Sequence, residues 1–265
     1  MVGDPLIGQG DQGAGIRRVS VRVSADRAEE ARAVMLELFP EGFEEVDAQG
    51  ELELAAYTTA AGEERLWQVF GTAATSDVPA GWAEAWKQFH RPTRVGRLWV
   101  GPPWEKPPAD LLAVVIDPGR AFGTGSHPTT RLSLGLLLGL APASIVDLGC
   151  GSGVLAIAAA RLGFEPVIAM DVEQDAVSAT RANAAVNGVQ VEVRHGDVLR
   201  DELPTTAVAI ANITVADAQA LAARVRSGTL ITSGYLASEQ LDFSGWQQAN
   251  RCEAGGWAAD LFTRV

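Results

Sequence analysis

Cysteine is nearly missing from this chain. Cys150 and Cys252 are the only two among 265 residues, too few for a disulfide framework, and they form no metal-ligand pattern. Long apolar runs are also missing: none approaches the roughly 20 residues that span a bilayer. The opening Met1-Val-Gly-Asp-Pro5 has neither the basic nor the apolar stretch of a secretory signal, so the cytoplasm is the expected location. Basic residues are in short supply, 21 Lys and Arg against 33 Asp and Glu, for a net charge of -12. That argues against a standing nucleic-acid surface, which relies on clustered Lys and Arg. The deficit is uneven. Between Arg17 and His90 fourteen acidic residues face seven basic ones, a local net of -7. This is either a solvated acidic surface or one that steers a basic partner.

Glycine, by contrast, is concentrated where it matters. The apolar pair Ile145-Val146 leads into Asp147-Leu-Gly149-Cys-Gly151-Ser-Gly153, and then Val154-Leu-Ala-Ile-Ala-Ala-Ala160 follows. The pattern predicts a strand, a glycine turn and a helix, with a bare backbone that a nucleoside can approach. Cys150 inside that turn reads as a small filler rather than a nucleophile. A second apolar run, Val167 to Met170, closes on Asp171, twenty-two residues after Gly149, where a strand-end carboxylate can accept both ribose hydroxyl protons. A dinucleotide fingerprint would need a further glycine where Val154 stands, which weakens a nicotinamide or other pyrophosphate reading. The string Asp-x-Gly-x-Gly-x-Gly instead resembles the first motif of Rossmann-like S-adenosylmethionine methyltransferases.

From the N-terminus, residues 1–16 read as a lead-in without periodicity. Val19, Val21 and Val23 alternate as in a half-buried strand. Ser24 is placed to cap a helix carrying Ala28, Ala31, Met35 and Leu38 on one face, ended by Pro40. Two short strands, Phe43 to Val46 and Leu52 to Ala56, flank a turn at Ala48-Gln-Gly50, and a helix is expected over Glu63 to Phe70. This order suggests a small ferredoxin-like α+β domain over 17–80. Residues 81–110 hold Trp82, Trp86, Trp99 and Trp104 among five prolines. They read as a short helix, Trp82 to Phe89, and then a stiff linker, its tryptophans burying a domain join or lining a pocket.

The remaining 111–265 form an α/β domain. A strand over Leu111 to Ile116 delivers Asp117-Pro-Gly-Arg-Ala-Phe122-Gly-Thr-Gly-Ser-His127-Pro-Thr-Thr130 to a helix, Arg131 to Leu140, whose first turn tolerates Pro128. His127 either takes a proton or caps that helix. A helix spans Asp175 to Asn187 with Gly188 as its cap. Strands follow over Val191 to Arg194, Ala207 to Ile210, Thr229 to Ser233 and Ala258 to Thr263, the last antiparallel. With the earlier strands they suggest a seven-stranded sheet. Asp197 follows one of these strands and Asn212 another, at the rim where open α/β sheets place their chemistry.

The run Asp117-Pro-Gly-x-Ala-Phe-Gly-Thr-Gly-x-His-Pro-Thr-Thr130, followed by Asp147-Leu-Gly-Cys-Gly-Ser-Gly-Val-Leu-Ala-Ile-Ala-Ala, resembles the PrmA family, the bacterial methyltransferases of large-subunit ribosomal protein eleven. The likeness runs over about 80–240, through Asp171 and Ala211-Asn212-Ile213. The N-terminal domain is similar mainly in length and pattern. The resemblance implies a Rossmann-like seven-stranded S-adenosylmethionine methyltransferase domain preceded by a small ferredoxin-like substrate-recognition domain. It implies S-adenosyl-L-methionine as cofactor, with Thr130, Gly149, Asp171 and Asn212 holding it, Phe122, Gly123 and Gly151 beside them, and no metal. Asp197 is expected to reach the adenine amine, a feature of the wider class. Asn212 is the expected catalytic residue, presenting acceptor oxygens to an amine. Thr214 stands where the family usually has Leu, and its hydroxyl would alter the wall facing the substrate. The implied reaction is methylation of lysine ε-amines, and of an N-terminal α-amine, on a basic ribosomal protein by a monomeric enzyme. Another protein or small-amine methyltransferase, or a cofactor-binding protein without catalysis, are the alternatives.

Overall fold

The computed structural model describes residues 17–24, 27–39, 43–48, 51–76, 91–117 and 125–265. The lead-in, Pro40, the Gln49-Gly50 tip, the helix expected over Trp82 to Phe89, and Phe122 with Gly123 lie outside the described residues. The chain divides into two compact units, Met1–Phe89 and His90–Val265.

In the first unit, β1 (Arg17–Ser24), α1 (Ala28–Leu38), β2 (Glu44–Ala48), β3 (Glu51–Thr58), α2 (Ala60–Phe70) and β4 (Ala74–Ser76) follow in order. The strands form an antiparallel sheet in the order β2-β3-β1-β4. Alternation decides which face is dry. Val19, Val21, Val23, Leu52, Leu54 and Ala56 pack with Met35, Phe39 and Leu66. From the same strands Arg18 bonds Glu44 and Glu53, and Arg22 also reaches Glu53. Ser24 does not cap α1: it ends β1 opposite Glu51, and Arg27 takes the cap position without a capping side-chain hydrogen bond.

The second unit opens with β5 (Thr93–Val95), β6 (Leu98–Gly101) and β7 (Leu112–Val115), which make a three-stranded sheet. Residues 91–110, expected as linker, therefore belong to this unit, with Trp99 buried in β6. There follow α3 (Pro128–Leu138), β8 (Ile145–Leu148), α4 (Val154–Arg161), β9 (Val167–Asp171), α5 (Gln174–Asn187), β10 (Glu192–His195), β11 (Val208–Asn212), α6 (Val215–Ala222), β12 (Thr229–Leu236), β13 (Trp246–Ala254) and β14 (Trp257–Arg264). Seven strands pair in the order β10-β9-β8-β11-β12-β14-β13. The first five are parallel, β14 is antiparallel to β12, and β13 is antiparallel to β14. Two expectations about membership change. The strand at Leu112–Val115 runs beside β6 rather than in this sheet, and its place as a seventh strand is taken by Trp246–Ala254. That segment is polar and mostly exposed, so it shows no apolar alternation and is defined only by its pairing with β14.

Neighbouring residues of each central strand serve opposite cores. Ile145, Ile210 and Ile231 pack under Leu134, Leu137 and Ile157, while Val146, Ala209 and Leu230 pack against Ala218 and Leu221. Helices thus cover both faces. The chain leaves β8 outward to β9 and β10, then returns to β11 on the other side of β8. Strand order reverses between β8 and β11, which opens a crevice at their carboxyl ends.

Candidate functional site

The glycine turn between β8 and α4 occupies that crevice. Gly149, Gly151 and Gly153 have φ of 80°, 54° and 82°, a region that L side chains avoid. The amides of Gly149 and Cys150 both bond the Met170 carbonyl, and Gly151 donates to Asp171 Oδ2 at 2.9 Å. Glu173 donates to Asp171 Oδ1 at 2.9 Å. Asp171 is thereby oriented at the end of β9 against the turn, and its remaining lone pairs can accept further hydroxyl protons.

Asp147 is buried at the start of the turn with one oxygen unbonded among the described residues. It is 1 % exposed, and its Oδ2 accepts from Ala156 N at 3.0 Å, in the first turn of α4. Its Oδ1 has no hydrogen-bond partner among the described residues. Burial pushes the carboxyl up to about 7, with a smaller contribution from the charge of Asp171. A buried, unpaired carboxylate oxygen is costly, and a donor brought by a ligand would satisfy it.

Across the crevice, Asn212 ends β11 and its amide donates to Thr130 Oγ1 at 3.3 Å. Two further contacts fix this corner. Ser133 and Ser233, both fully buried, share a hydrogen bond of 2.6 Å, and Ile213 donates to the Ser233 carbonyl at 2.9 Å. The strand β12 has a bulge between Ser233 and Tyr235. There Gly234 has φ of 107°, and a Cβ on it would lie 2.2 Å from the Ile213 carbonyl oxygen. Ile213 also faces Gly149: a Cβ on that glycine would lie 2.9 Å from the Ile213 methyl.

Thr130, Gly149, Gly151, Asp171 and Asn212 therefore meet at one rim. Asp197 lies on the same rim, next to Asp171 through the Gly196 amide, which bonds the Asp171 carbonyl. Its carboxylate turns to its own loop, accepting from Leu199 N at 2.8 Å and pairing with Arg200 at 3.5 Å. Thr214 caps a helix: its hydroxyl donates to Asp217 Oδ2 and accepts from Asp217 N at the start of α6.

The two remaining candidates for chemistry are quiet. His127 is the N-cap of α3: its Nδ1 lies 2.8 Å from Thr129 Oγ1 and accepts from Thr129 N, and the ring sits edge-on to Trp257. Burial lowers its basicity, so capping and packing explain it. Cys150 is buried with its thiol pushed up to about 12 by desolvation. Among the described residues no group of His, Cys, Asp or Glu is arranged to hold a metal, and no helix is long and apolar enough to cross a membrane.

Sequence reasoning passed over the polar stripe on α5. Thr180, Asn183 and Asn187 are buried and bond the glycine turn and the end of β7. Their signal was polar residues at spacings of three and four on the helix face that also carries Ala176 and Ala184.

A family model describing ribosomal protein L11 methyltransferase (PrmA) matches residues 19–261. The chain is similar to the ribosomal protein L11 methyltransferase of Synechococcus sp., 40% identical over 200 residues, which are 67% of this chain and 66% of that protein. It is also similar to that of Geobacter metallireducens, 42% identical over 196 residues, 68% of this chain and 65% of the relative. The match thus spans slightly less than two thirds of these relatives. Among solved structures, the ribosomal protein L11 methylase from Lactobacillus delbrueckii subsp. bulgaricus superposes with a TM-score of 0.59 at 27% identity, covering 66% of this chain and 99% of that one. The shared architecture is a Rossmann-like methyltransferase fold.

Proposed function

The chain belongs to the ribosomal protein L11 methyltransferase (PrmA) family, and from that premise we propose that it is an S-adenosyl-L-methionine-dependent protein N-methyltransferase. Its substrates would be lysine ε-amines, and an N-terminal α-amine, of ribosomal protein L11. The observation that carries this reading is the convergence of Thr130, Gly149, Asp171 and Asn212 at the strand-order reversal, beside a buried Asp147 oxygen that has no partner among the described residues.

The bare glycine turn fits a nucleoside, and Asp171 would hold its ribose. Asp147 Oδ1 fits a donor such as the ammonium of a methionine tail. When bound, the cofactor supplies a methyl group on a positively charged sulfur. The protein's part is mainly positioning. The amide nitrogen of Asn212 is engaged by Thr130, which leaves the acceptor end of the amide to meet an amine and orient its lone pair. No catalytic base is required of His127, whose ring caps α3. An amine entering a desolvated crevice is favoured in its neutral, nucleophilic form.

The finer fold reading belongs to the same proposal: residues 17–80 as a ferredoxin-like substrate-recognition domain, and residues 111–265 as the seven-stranded methyltransferase core, fed by 91–110. Four arginines of the first unit are paired with its own glutamates, Arg17 with Glu63, Arg18 with Glu44 and Glu53, Arg22 with Glu53, and Arg32 with Glu45. The acidic surplus is thus left to attract a basic protein. A monomer acting in the cytoplasm completes the reading.

The test is transfer of radiolabelled methyl from S-adenosyl-L-methionine to unmethylated large-subunit ribosomal proteins by the full chain, resolved by mass spectrometry. Label on L11 amines is the expected result. Label on another protein would discard the substrate, and tight cofactor binding without transfer would leave a binding protein.

A further inference from the structure

We propose that Asn183, with Thr180 one turn before it, is a positioning residue that builds the cofactor site from behind, by fixing the carbonyls of the glycine turn. The inference rests on the cofactor reading above and names residues that touch neither cofactor nor substrate.

A polar stripe on the buried face of a helix is costly unless every group is bonded. On α5 that stripe is Thr180, Asn183 and Asn187, which are 0 %, 3 % and 3 % exposed. Thr180 Oγ1 donates to the Gly151 carbonyl at 2.9 Å. Asn183 Nδ2 donates to the Ser152 carbonyl at 2.9 Å, and its Oδ1 accepts from Asp117 N at 3.1 Å. Asn187 works elsewhere: its Oδ1 accepts from Val115 N at 2.8 Å and its Nδ2 donates to the Val115 carbonyl at 2.6 Å. It acts as a strand partner for β7 and bonds no part of the turn.

The division of labour has a physical consequence. Peptide units are planar and trans, so fixing a carbonyl also fixes the amide that follows it. Holding the Gly151 and Ser152 carbonyls toward α5 sets the orientation of a turn that has no side chains of its own to hold it, apart from Cys150 and Ser152. Glycine residues at positive φ have many alternatives, and that freedom must be removed before a ligand can bind tightly. Asn183 uses both ends of one amide, so it also sets the turn in register with the end of β7. Only an amide of this length supplies a donor and an acceptor there.

The test measures S-adenosyl-L-homocysteine binding to the full chain by calorimetry, with melting temperature alongside. Asn183→Ala is expected to weaken binding at least about tenfold, equivalent to about 1.4 kcal/mol. Asn187→Ala, matched in burial and likewise bonded through both ends of its amide, to Val115 and to the Asn183 carbonyl, is expected to lower the melting temperature while changing affinity less than about twofold. Thr180→Val keeps the side-chain shape and removes only the hydroxyl. It is expected to weaken binding several-fold, and it serves as the deciding variant if Asn183→Ala does not fold. Unchanged affinity in Asn183→Ala or Thr180→Val, or a loss in Asn187→Ala as large as that in Asn183→Ala, overturns the inference and leaves the cofactor reading intact. A wild-type chain that binds no S-adenosyl-L-homocysteine overturns both.

Discussion

The side-chain amide of Asn212 donates to the hydroxyl of Thr130 across 3.3 Å, joining residues 82 positions apart. One ends β11 and the other sits in the first turn of α3. The bond ties the strand-end residue to the helix that follows the Asp117 to Thr130 segment. It also decides which end of the Asn212 amide is left for an acceptor amine. Asn212→Ala is therefore expected to lower methyl transfer by about two orders of magnitude, as misplacement near reacting groups does. Thr130→Val should produce a smaller loss. The double variant should fall short of the sum by about 0.5 to 3 kcal/mol. Steady-state rates for the four proteins check this, and strict additivity would show that the bond is not functional.

Asp171→Ala removes the acceptor that Gly151 N and Glu173 N now use. Cofactor affinity measured by calorimetry is expected to drop by about 1 to 3 kcal/mol. Unaltered affinity would remove Asp171 from the site.

Asp147 links stability to pH in the sense opposite to most carboxylates. Its folded pKa lies near 7, against 3.8 as the ordinary value. Between these values the folded chain holds a proton that the unfolded chain has released, so this group's contribution falls as pH rises from about 4 to 7 and is level above. Asp147→Asn removes that slope. The stability of the variant relative to wild type should rise across this window by up to about 1.4 kcal/mol per pH unit. Urea denaturation at pH 5 and pH 8 measures it, and a pH-independent difference would show that the carboxyl titrates normally.

Cys150 is buried with its thiol pushed up to about 12, whereas Cys252 is half-buried. Iodoacetamide at pH 8 is expected to label the native protein once, at Cys252, and a second time only on unfolding. Peptide mass spectrometry locates the label. Rapid modification of native Cys150 would mean that the glycine turn opens readily.

Gly234→Ala places a methyl group 2.2 Å from the Ile213 carbonyl oxygen on a backbone at φ of 107°. The backbone carrying Asn212 must shift to admit it. A stability loss of about 2 kcal/mol or more, read from denaturation curves, should come with a fall in methyl transfer. A variant as stable and active as wild type would contradict the close approach.

Much of the site was legible because its signals are local. Gly149, Gly151, Gly153 and Asp171 advertise a turn and a strand end through backbone needs that few residue types satisfy, and α5 is bounded in sequence by Gly188 at its C-terminus. The strand at Leu112–Val115 was equally visible as an apolar run, yet an apolar run does not say which sheet it joins. The edge strand Trp246–Ala254 was invisible, since an exposed polar strand has no pattern apart from its partner.

The sequence by itself thus determined the order of elements around the glycine turn, the residue types of the turn and of the strand end beside it, and the family resemblance, because each depends on neighbours close along the chain. Tertiary structure alone decided that Thr130 bonds Asn212, that Gly234 supports Ile213, that Asp147 keeps an oxygen unbonded among the described residues, and that Asn183 holds the turn from behind. Those relations join residues far apart in the chain, and only the packing of α3, α5 and β12 around the sheet brings them within bonding distance.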